Sequence, residues 1–315
     1  MSLAGLFYFQ QRATFGAMPE TVLLYDAYSL IYRAFFAIRI LTGPDGAPVN
    51  AIYGLTKMLK KMAADHAPSH HAAVFDLGAP QKRLALLPSY KAQRPPTPPA
   101  LEEQLPAIRE ILQALRVPIA EIEGDEADDI IATLAVQAAN TGRDVLIASS
   151  DKDFMQIVGP RIRLLRPDGK ETVVVDPGGV KARFGVTPGQ MIDLLSLLGD
   201  SVDNIPGAPG VGEKTAAQLL QVYGNLENLL AHVSEIAKPK LRESLIASAD
   251  RLRANQRLIA LQTDVPLAVD LEALKVQPAD TAALAVLYRR FGFKSLLAEL
   301  TGSPVTEERD LFNTK

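Results

Sequence analysis

The stretch Gly124-Asp125-Glu126-Ala127-Asp128-Asp129-Ile130-Ile131-Ala132 carries four carboxylates within five residues and runs directly into an apolar helical pattern. Residues three or four apart share a helix face, so the first turn presents Glu126 and Asp129 together, with Asp128 beside them. Two interpretations are open. An acidic first turn suits the positive end of a helix, but a divalent cation with oxygen ligands would relieve the repulsion among the four acids. Further acids converging from elsewhere would favour the metal.

The composition of the chain is that of an ordinary soluble globular protein. Its 315 residues are 48% hydrophobic and 22% charged, which is enough for one large domain or two. The absence of cysteine excludes disulfides, zinc–thiolate sites and thiol nucleophiles. The net charge of −3 does not by itself indicate a nucleic-acid-binding protein. No apolar run reaches the roughly 18 residues of a membrane span, so we expect no membrane association and a cytoplasmic protein.

Acids follow the carboxyl ends of three predicted strands. Apolar runs indicate buried parallel strands, and their alternation with helices predicts a layered α/β domain up to residue 184. Ligands of such sheets bind at the carboxyl edge of the strands, so we expect these acids to share one crevice. The strands and their acids are Thr21–Tyr25 with Asp26, Ala72–Phe75 with Asp76, and Asp144–Ala148 with Asp151 and Asp153.

Nine acids in all stand at strand ends or helix starts: Asp26, Asp76, Glu126, Asp128, Asp129, Asp151, Asp153, Asp200 and Asp203. Any one of them alone is more simply a helix cap or a solvated turn. Together they exceed the needs of one cation and suit two divalent ions about 4 Å apart, an arrangement that serves in-line displacement at phosphorus. Zinc has few ligands here, because three of the four histidines (His66, His70 and His71) precede a strand and are expected at the surface.

Residues 81–101 contain four basic side chains and no acid, and four of the five residues at 95–99 are prolines. The prolines forbid a regular helix there. One interpretation is a basic surface loop; the other is a mobile segment that holds a phosphate backbone. The basic residues are Lys82, Arg83, Lys91 and Arg94, and Tyr90 adjoins Lys91.

Beyond residue 184 the strand signals end, and short helices predict a second, helical region to about residue 300. Within it, the glycine-rich residues 207–212 lead into a helix that opens with Lys214 and Thr215. Glycines allow a tight turn that exposes backbone N–H groups at a helix N-terminus, which suits a DNA phosphate. The alternative is a turn with a purely structural role.

Six segments, in combination and in this order, closely resemble the 5′-nuclease family, namely the N-terminal 5′→3′ exonuclease domain of bacterial DNA polymerase I and its flap-endonuclease relatives. They are LLYDAYSLIYRAFFA, AVFD, PSYKAQRPPTPP, EADDIIATLA, SSDKDFMQIV and LLGDSVDNIPGAPGVGEKTA. The resemblance runs from about Thr21 to about Leu300. No polymerase module follows in this sequence, so we expect a free-standing form.

The resemblance implies a PIN-like, layered α/β/α nuclease domain over residues 18–184, with an arch at about residues 80–105. It implies a helix-three-turn-helix region over residues 185–300 that binds DNA through a helix–hairpin–helix. Residues 1–17 lack the features of a signal peptide, and we expect a non-native or disordered extension there. Residues 301–315 are expected to form a loose tail.

The resemblance also assigns metal ligands. A first Mg²⁺ site and its water shell would use Asp26, Asp76, Glu126, Asp128, Asp129 and Asp151. A second Mg²⁺ site would use Asp153, Asp200 and Asp203 together with Asp151. Mn²⁺ is expected to substitute for Mg²⁺.

Other roles implied by the resemblance concern DNA. Lys91 and Arg94 match arch residues that steady the scissile phosphate, and Arg33 matches a basic residue near the active site. Tyr90 is expected to contact DNA beside them. The duplex-binding hairpin, with a K⁺ ion on its carbonyls, would use Gly207, Gly210, Gly212, Lys214 and Thr215.

The expected activity is metal-dependent hydrolysis of DNA at 5′ flaps and at branched or duplex ends, leaving a 5′-phosphate, in replication or repair. We expect a monomer associated with the bacterial nucleoid, working beside a separate DNA polymerase. One alternative is a PIN-type ribonuclease, against which the duplex-binding hairpin argues. The other is a non-catalytic protein that binds DNA structures, in which some acids would be expected to be lost.

Overall fold

A six-stranded sheet forms the centre of the structure, a computed structural model that describes residues 20–39, 41–168, 171–267 and 269–302. The strand order is β3-β2-β1-β4-β5-β6, with parallel pairing as far as β5 and an antiparallel β6 at the edge. A separate two-stranded sheet pairs β7 with β8. The strands are β1 (Thr21–Asp26), β2 (His70–Val74), β3 (Ile119–Ala120), β4 (Asp144–Ala148), β5 (Ile162–Asp168), β6 (Glu171–Val175), β7 (Gly199–Asp200) and β8 (Ile205–Pro206).

Helices cover both faces of the six-stranded sheet. They are α1 (Ala27–Ala37), α2 (Asn50–His66), α3 (Gln81–Leu86), α4 (Pro99–Glu102), α5 (Leu105–Ala114), α6 (Ala127–Asn140), α7 (Pro177–Phe184), α8 (Met191–Leu198), α9 (Glu213–Tyr223), α10 (Leu226–Ala231), α11 (Pro239–Ile259), α12 (Thr281–Phe291) and α13 (Lys294–Thr301). Short 3-10 helices lie at Asp153–Ile157, Pro188–Gln190, Val233–Glu235 and Leu271–Leu274.

Alternate residues of β1 face two separate hydrophobic cores, as the period of a strand requires. Val22 and Leu24 pack into a core that includes α6, α8, α9 and α11. Leu23 and Tyr25 pack into the opposite core, which includes α1, α2, α5, α12 and α13. Because β1 is covered on both faces, its sequence is a continuous apolar run. The predicted layered α/β architecture with a C-terminal helical region is therefore confirmed.

The predicted helical region over residues 185–300 is divided between the two layers. Helices α8 to α11 pack on one side, whereas α12 and α13 return to the layer of α2 and α5. Polar contacts, as well as apolar ones, hold α12 and α13 against α2 and α5. The Asp280 N–H donates to the Ala114 carbonyl at 2.8 Å, and the hydroxyls of Tyr53 and Ser295 lie 3.2 Å apart.

Two histidines that were expected at the surface are buried. His70 and His71 are 1% and 5% exposed, because β2 begins two residues before the apolar run that marks it in the sequence. Burial lowers the pKa of both side chains, which favours their neutral forms. The prediction of surface histidines was therefore wrong.

Two sequence predictions fall outside the described residues: the extension at 1–17 and most of the tail at 301–315. Among the helices that the structure does describe, none has both the length and the apolar character needed to cross a bilayer.

The two backbones of β7 and β8 meet at a pair of glycines. Gly199 has φ +73°, and a Cβ on it would collide with the backbone of Ile205 and of Gly207. A Cβ on Gly207 would lie 2.5 Å from the carbonyl oxygen of Leu197 and closer still to the backbone of Leu198. Gly207 is therefore required by packing, whereas Gly212 has no neighbour within 4 Å of its Cβ position.

We predict that Gly207→Ala lowers the free energy of unfolding by about 3 kcal/mol, because rigid backbone cannot move away from the added methyl group. Gly212→Ala is the matched control. It should lower the free energy of unfolding by less than about 1 kcal/mol, since only a helix N-cap preference changes. Urea denaturation of both variants measures the difference. Equal stabilities for the two variants would contradict the packing account.

Candidate active site

The carboxylate of Asp26 joins the end of β1 to the start of α1. Its oxygens accept hydrogen bonds from the Ser29 N–H at 3.2 Å and from the Ser149 hydroxyl at 2.6 Å. Burial, helped by the neighbouring charges of Asp151 and Asp76, outweighs these two hydrogen bonds and raises the pKa of Asp26 to about 7. Strand β4 is the parallel neighbour of β1, which brings the residues after both strands together.

The acid after β2 caps the helix that carries the acidic stretch. Asp76 accepts a hydrogen bond from the N–H of Ala127, the first residue of α6, at 2.8 Å. Asp128 lies in the first turn of that helix. Its pKa is well above the ordinary value because the group is buried and because Asp151 and Asp26 lie nearby. The acids of β1, β2, α6 and the loop after β4 therefore meet at one edge of the sheet.

The loop after β4 contributes two further acids. The backbone N–H of Asp153 donates to the carboxylate of Asp151 at 2.9 Å, which holds the two side chains near one another. Burial and the charge of Asp151 raise the pKa of Asp153 to about 8. Burial also raises the pKa of Asp151. These groups repel one another strongly when all are ionised.

The turn between β7 and β8 brings Asp200 and Asp203 to the same place, and each is paired with a cation. Lys152 lies 2.7 Å from Asp200, and Arg94 lies 2.6 Å from Asp203. Burial alone would raise the pKa of Asp200, but the ammonium of Lys152 outweighs burial and lowers it. The pKa of Asp200 is thus shifted downwards, whereas the pKa of Asp153 is shifted upwards.

The predicted arch residues reach into this crevice. Lys91 forms an ion pair with Glu126, and its backbone N–H donates to the Asp203 carbonyl at 3.1 Å. Lys91 has φ +54°, a left-handed conformation that is strained for a residue with a side chain. Strain of this kind is common at functional sites, where the surrounding structure maintains it.

Tyr90 does not occupy the position predicted for it. Its side chain is 6% exposed, and its hydroxyl donates to Glu126 at 3.2 Å and to Asp203 at 3.1 Å. In the DNA-free structure Tyr90 therefore holds two acids, and its predicted contact with DNA stays a prediction.

Asp129 also departs from the predicted arrangement. It does lie on the face of Glu126, as helical spacing requires, but that face meets Arg83. The carboxylate of Asp129 is bound by both terminal nitrogens of Arg83, at 2.6 and 3.0 Å, and by the Gln262 N–H at 2.9 Å. Both oxygens are therefore occupied by protein donors, and Asp129 is corrected from a metal ligand to a structural partner of Arg83.

The remaining carboxylates have the donor chemistry of a divalent-cation site. Hard oxygen ligands suit Mg²⁺ and Mn²⁺, and burial together with the charge of Asp151 raises the pKa of Asp26 and of Asp153. Among the described residues, however, no three acids already surround one point at ligand distance. Lys91, Arg94 and Lys152 hold individual acids instead. The residues therefore fit a metal site that requires these ion pairs to rearrange.

Arg33 lines a different surface. It lies in a groove of about 480 Å³ between α1 and α2, where Lys57, Lys60 and Lys61 are also found. Lys57 and Lys60 pair there with Glu299 at 3.2 and 2.8 Å. The role of Arg33 near the active site stays a prediction.

The predicted hairpin residues divide into two groups. Gly207 is fixed by packing, and its carbonyl accepts a hydrogen bond from Arg251 at 3.1 Å. Gly210, Gly212 and Lys214 are exposed, with Gly212 as the N-cap of α9. Thr215 is half-buried in the first turn of α9. The open part of the hairpin is thus the N-terminus of α9.

Three residues of the site were not singled out from the sequence. Ser149 and Lys152 lie inside the motif SSDKDF, so their position beside the acids was a usable signal. Arg83 was counted only as one basic residue of a loop. Its spacing of eight residues from Lys91 gives no indication that it is buried against α6.

Comparison with protein families covers nearly all of the described chain. Residues 21–185 match the family described as 5′-3′ exonuclease, N-terminal resolvase-like domain. Residues 186–282 match the family described as 5′-3′ exonuclease, C-terminal SAM fold.

Curated relatives are DNA polymerases. DNA polymerase I of Bacillus caldotenax is 38% identical over 299 residues, which cover 93% of this chain and 34% of the relative. DNA polymerase I of Rhizobium leguminosarum is 43% identical over 285 residues, which cover 88% of this chain and 28% of the relative. The chain thus spans about a third of the length of the curated relatives it matches.

Solved structures share the fold. A T5 5′-exonuclease with bound divalent metal ions (zinc) superposes with a TM-score of 0.65 at 23% identity, covering 78% of this chain and 90% of that one. The catalytic core of Rad2 in complex with DNA substrate superposes with a TM-score of 0.60 at 17% identity, covering 88% and 89%. The resemblance predicted from the sequence motifs is confirmed, and the chain belongs to the 5′-3′ exonuclease family.

Proposed function

We propose that this chain is a divalent-metal-dependent nuclease that hydrolyses DNA at 5′ flaps and 5′ ends, leaving a 5′-phosphate and a 3′-hydroxyl. The observation that carries the proposal is the meeting of acids from β1, β2, α6, the β4 loop and the β7–β8 turn at one sheet edge. Family membership supports it, as do fold relatives described with divalent metal ions and with DNA.

Two groups of acids would hold the ions. One group comprises Asp26, Asp76, Asp128 and Asp151, and the other comprises Asp153, Asp200 and Asp203 with Asp151 between them; Glu126 lies beside the first group. Divalent ions at such a site favour formation of the attacking hydroxide and stabilise the leaving oxygen of an in-line displacement. We propose Mg²⁺, with Mn²⁺ as a substitute, because these ions prefer carboxylate oxygens.

Lys91 and Arg94 provide the charge that positions the substrate. In the structure their charges are taken up by Glu126 and Asp203. With those acids neutralised by bound cations, Lys91 and Arg94 would be free to bind the phosphate to be cleaved. Fixed positive charge at the reacting phosphate stabilises the charge that develops in the transition state.

The N-terminus of α9 supplies a second contact to DNA. Gly212 and Lys214 are exposed there, and unpaired N–H groups of a first turn bind phosphate oxygens. The proposed K⁺ ion has less support, because two hairpin carbonyls already accept hydrogen bonds. Arg251 donates to Gly207 and Ser244 donates to Pro209, at 3.1 and 2.7 Å.

We predict that Asp151→Asn and Asp200→Asn each reduce cleavage of a labelled 5′-flap DNA in Mg²⁺ by at least about 100-fold, since each removes a charge from the metal-binding acids. DNA affinity, measured in Ca²⁺ by fluorescence anisotropy, should stay within a few-fold of the wild-type value. Asp65→Asn is the matched control, because Asp65 is an exposed partner of Lys61 on α2.

Wild-type cleavage by both Asp151→Asn and Asp200→Asn would contradict the metal-dependent mechanism. A matched RNA flap tests the substrate class in the same assay, and faster cleavage of RNA than of DNA would favour a ribonuclease instead.

We also predict opposite effects of two substitutions on the metal-free protein at pH 9. The raised pKa of Asp153, about 8 against an ordinary 3.8, means that the folded protein binds a proton that the unfolded chain has lost. The free energy of unfolding therefore falls as the pH rises from about 3.8 to about 8. Asp153→Asn removes this penalty, so it should raise Tm at pH 9 in EDTA. The pKa of Asp200 is lowered, so its stabilisation is fully present at pH 9, and Asp200→Asn should lower Tm.

Scanning calorimetry at pH 6 and pH 9 measures both effects. Mg²⁺ should raise the Tm of the wild type more at pH 9 than at pH 6, because protons compete less for the acids. A lower Tm for Asp153→Asn than for the wild type at pH 9 would contradict the charge repulsion described for this site.

A further inference from the structure

We propose that Arg83 is a positioning residue for the metal-binding acids, a role that rests on the proposed function. It holds the carboxylate of Glu126 at the start of α6 and ties that helix to the end of α11. Arg83 is 7% exposed, so it acts through its protein partners and does not touch the substrate.

The guanidinium of Arg83 is bound by acceptors from two parts of the chain. One terminal nitrogen contacts Glu126 and lies 2.6 Å from Asp129. The other donates to Asp129 at 3.0 Å, and the Nε–H donates to the carbonyl of Leu258, near the end of α11, at 3.1 Å. A planar fork with fixed donor directions makes these contacts together, which a lysine cannot do.

Residues 258–262, here called the brace segment, connect Arg83 to the elements that carry the acids. The N–H of Gln262 donates to Asp129 on α6 at 2.9 Å. The side chain of Gln156 donates to the carbonyl of Ile259 at 3.2 Å and accepts from the N–H of Leu261 at 2.9 Å. Gln156 lies in the 3-10 helix that begins at Asp153. The brace segment therefore fixes α6 and this 3-10 helix relative to each other, and Arg83 is its charged link to Glu126.

Arg83 differs from Lys91 in what happens when DNA binds. Both cations pair with Glu126, which is 4% exposed. Lys91 belongs to the segment proposed to move onto phosphate, whereas Arg83 is held by Asp129 and by the brace segment. A buried carboxylate that loses all its cations is strongly destabilised. Arg83 thus keeps Glu126 paired with a cation and holds its orientation after Lys91 has moved.

The test compares Mn²⁺ affinity, measured by electron paramagnetic resonance on the DNA-free protein, with turnover on 5′-flap DNA at saturating DNA. Arg83→Gln should weaken Mn²⁺ binding by about 10- to 100-fold, the range found when groups that orient metal ligands are removed. Turnover should fall with it, while DNA affinity in Ca²⁺ stays near the wild-type value. Arg83→Lys keeps the charge but loses the fork, and it should weaken Mn²⁺ binding about 3- to 10-fold.

Thr133→Val is the matched control for loss of packing between α6 and the same region. The Thr133 hydroxyl donates to the Asp129 backbone carbonyl at 2.8 Å and accepts from the Val265 N–H at 3.2 Å, so it contacts neither the Asp129 carboxylate nor Glu126. This variant should lower Tm and leave Mn²⁺ affinity unchanged.

Three outcomes separate the possibilities. Wild-type Mn²⁺ affinity in Arg83→Lys, or in a folded Arg83→Gln, would overturn the positioning role. If Thr133→Val weakened Mn²⁺ binding as much as Arg83→Gln does, the positioning role would also be overturned, because general loss of packing would then explain the effect. Failure of the wild type itself to bind Mn²⁺ or to cleave DNA would instead refute the proposed function.

Discussion

Repulsion among carboxylates buried at one edge of a parallel sheet is the constraint on which this structure depends. Parallel strands end at the same edge, so an acid after each strand is brought close to its neighbours. Asp26 follows β1, and Asp153 lies in the loop after β4; the pKa of each is raised, to about 7 and about 8. Such an arrangement costs folding free energy unless cations compensate it. We propose that this cost in stability is the consequence of a site that binds divalent ions.

The protein compensates part of this charge with its own cations, which fall into two groups. Lys91 and Arg94 lie in the proline-flanked segment between α3 and α4, and Lys91 is in a strained backbone conformation. These cations are suited to exchange one partner for another. Arg83 is different, because it is buried and bound by both α6 and the end of α11. In the proposed mechanism the first group binds a substrate phosphate, and the second keeps the acids in place.

Much of the site was readable from the sequence because it depends on strand ends. Apolar runs located β1 and β4, and the acids after them needed no tertiary information. What the sequence did not give was the direction in which each side chain points. Asp128 and Asp129 are adjacent, yet one faces the crevice and the other faces Arg83. Tyr90 was likewise assigned to DNA because it adjoins Lys91, although it is buried beneath it. Long-range packing decides these orientations, and it also decides the return of α12 and α13 to the opposite layer.

The most direct test of the account is to locate bound metal. Crystals of the protein grown with Mn²⁺ and measured at the manganese absorption edge should show two anomalous peaks about 4 Å apart. One should lie among Asp26, Asp128 and Asp151, and the other beside Asp153 and Asp203. Arg83 should remain paired with Glu126 and Asp129. Absence of both peaks at saturating Mn²⁺, or peaks only at other acids, would contradict the claim that the buried carboxylates form a two-metal site.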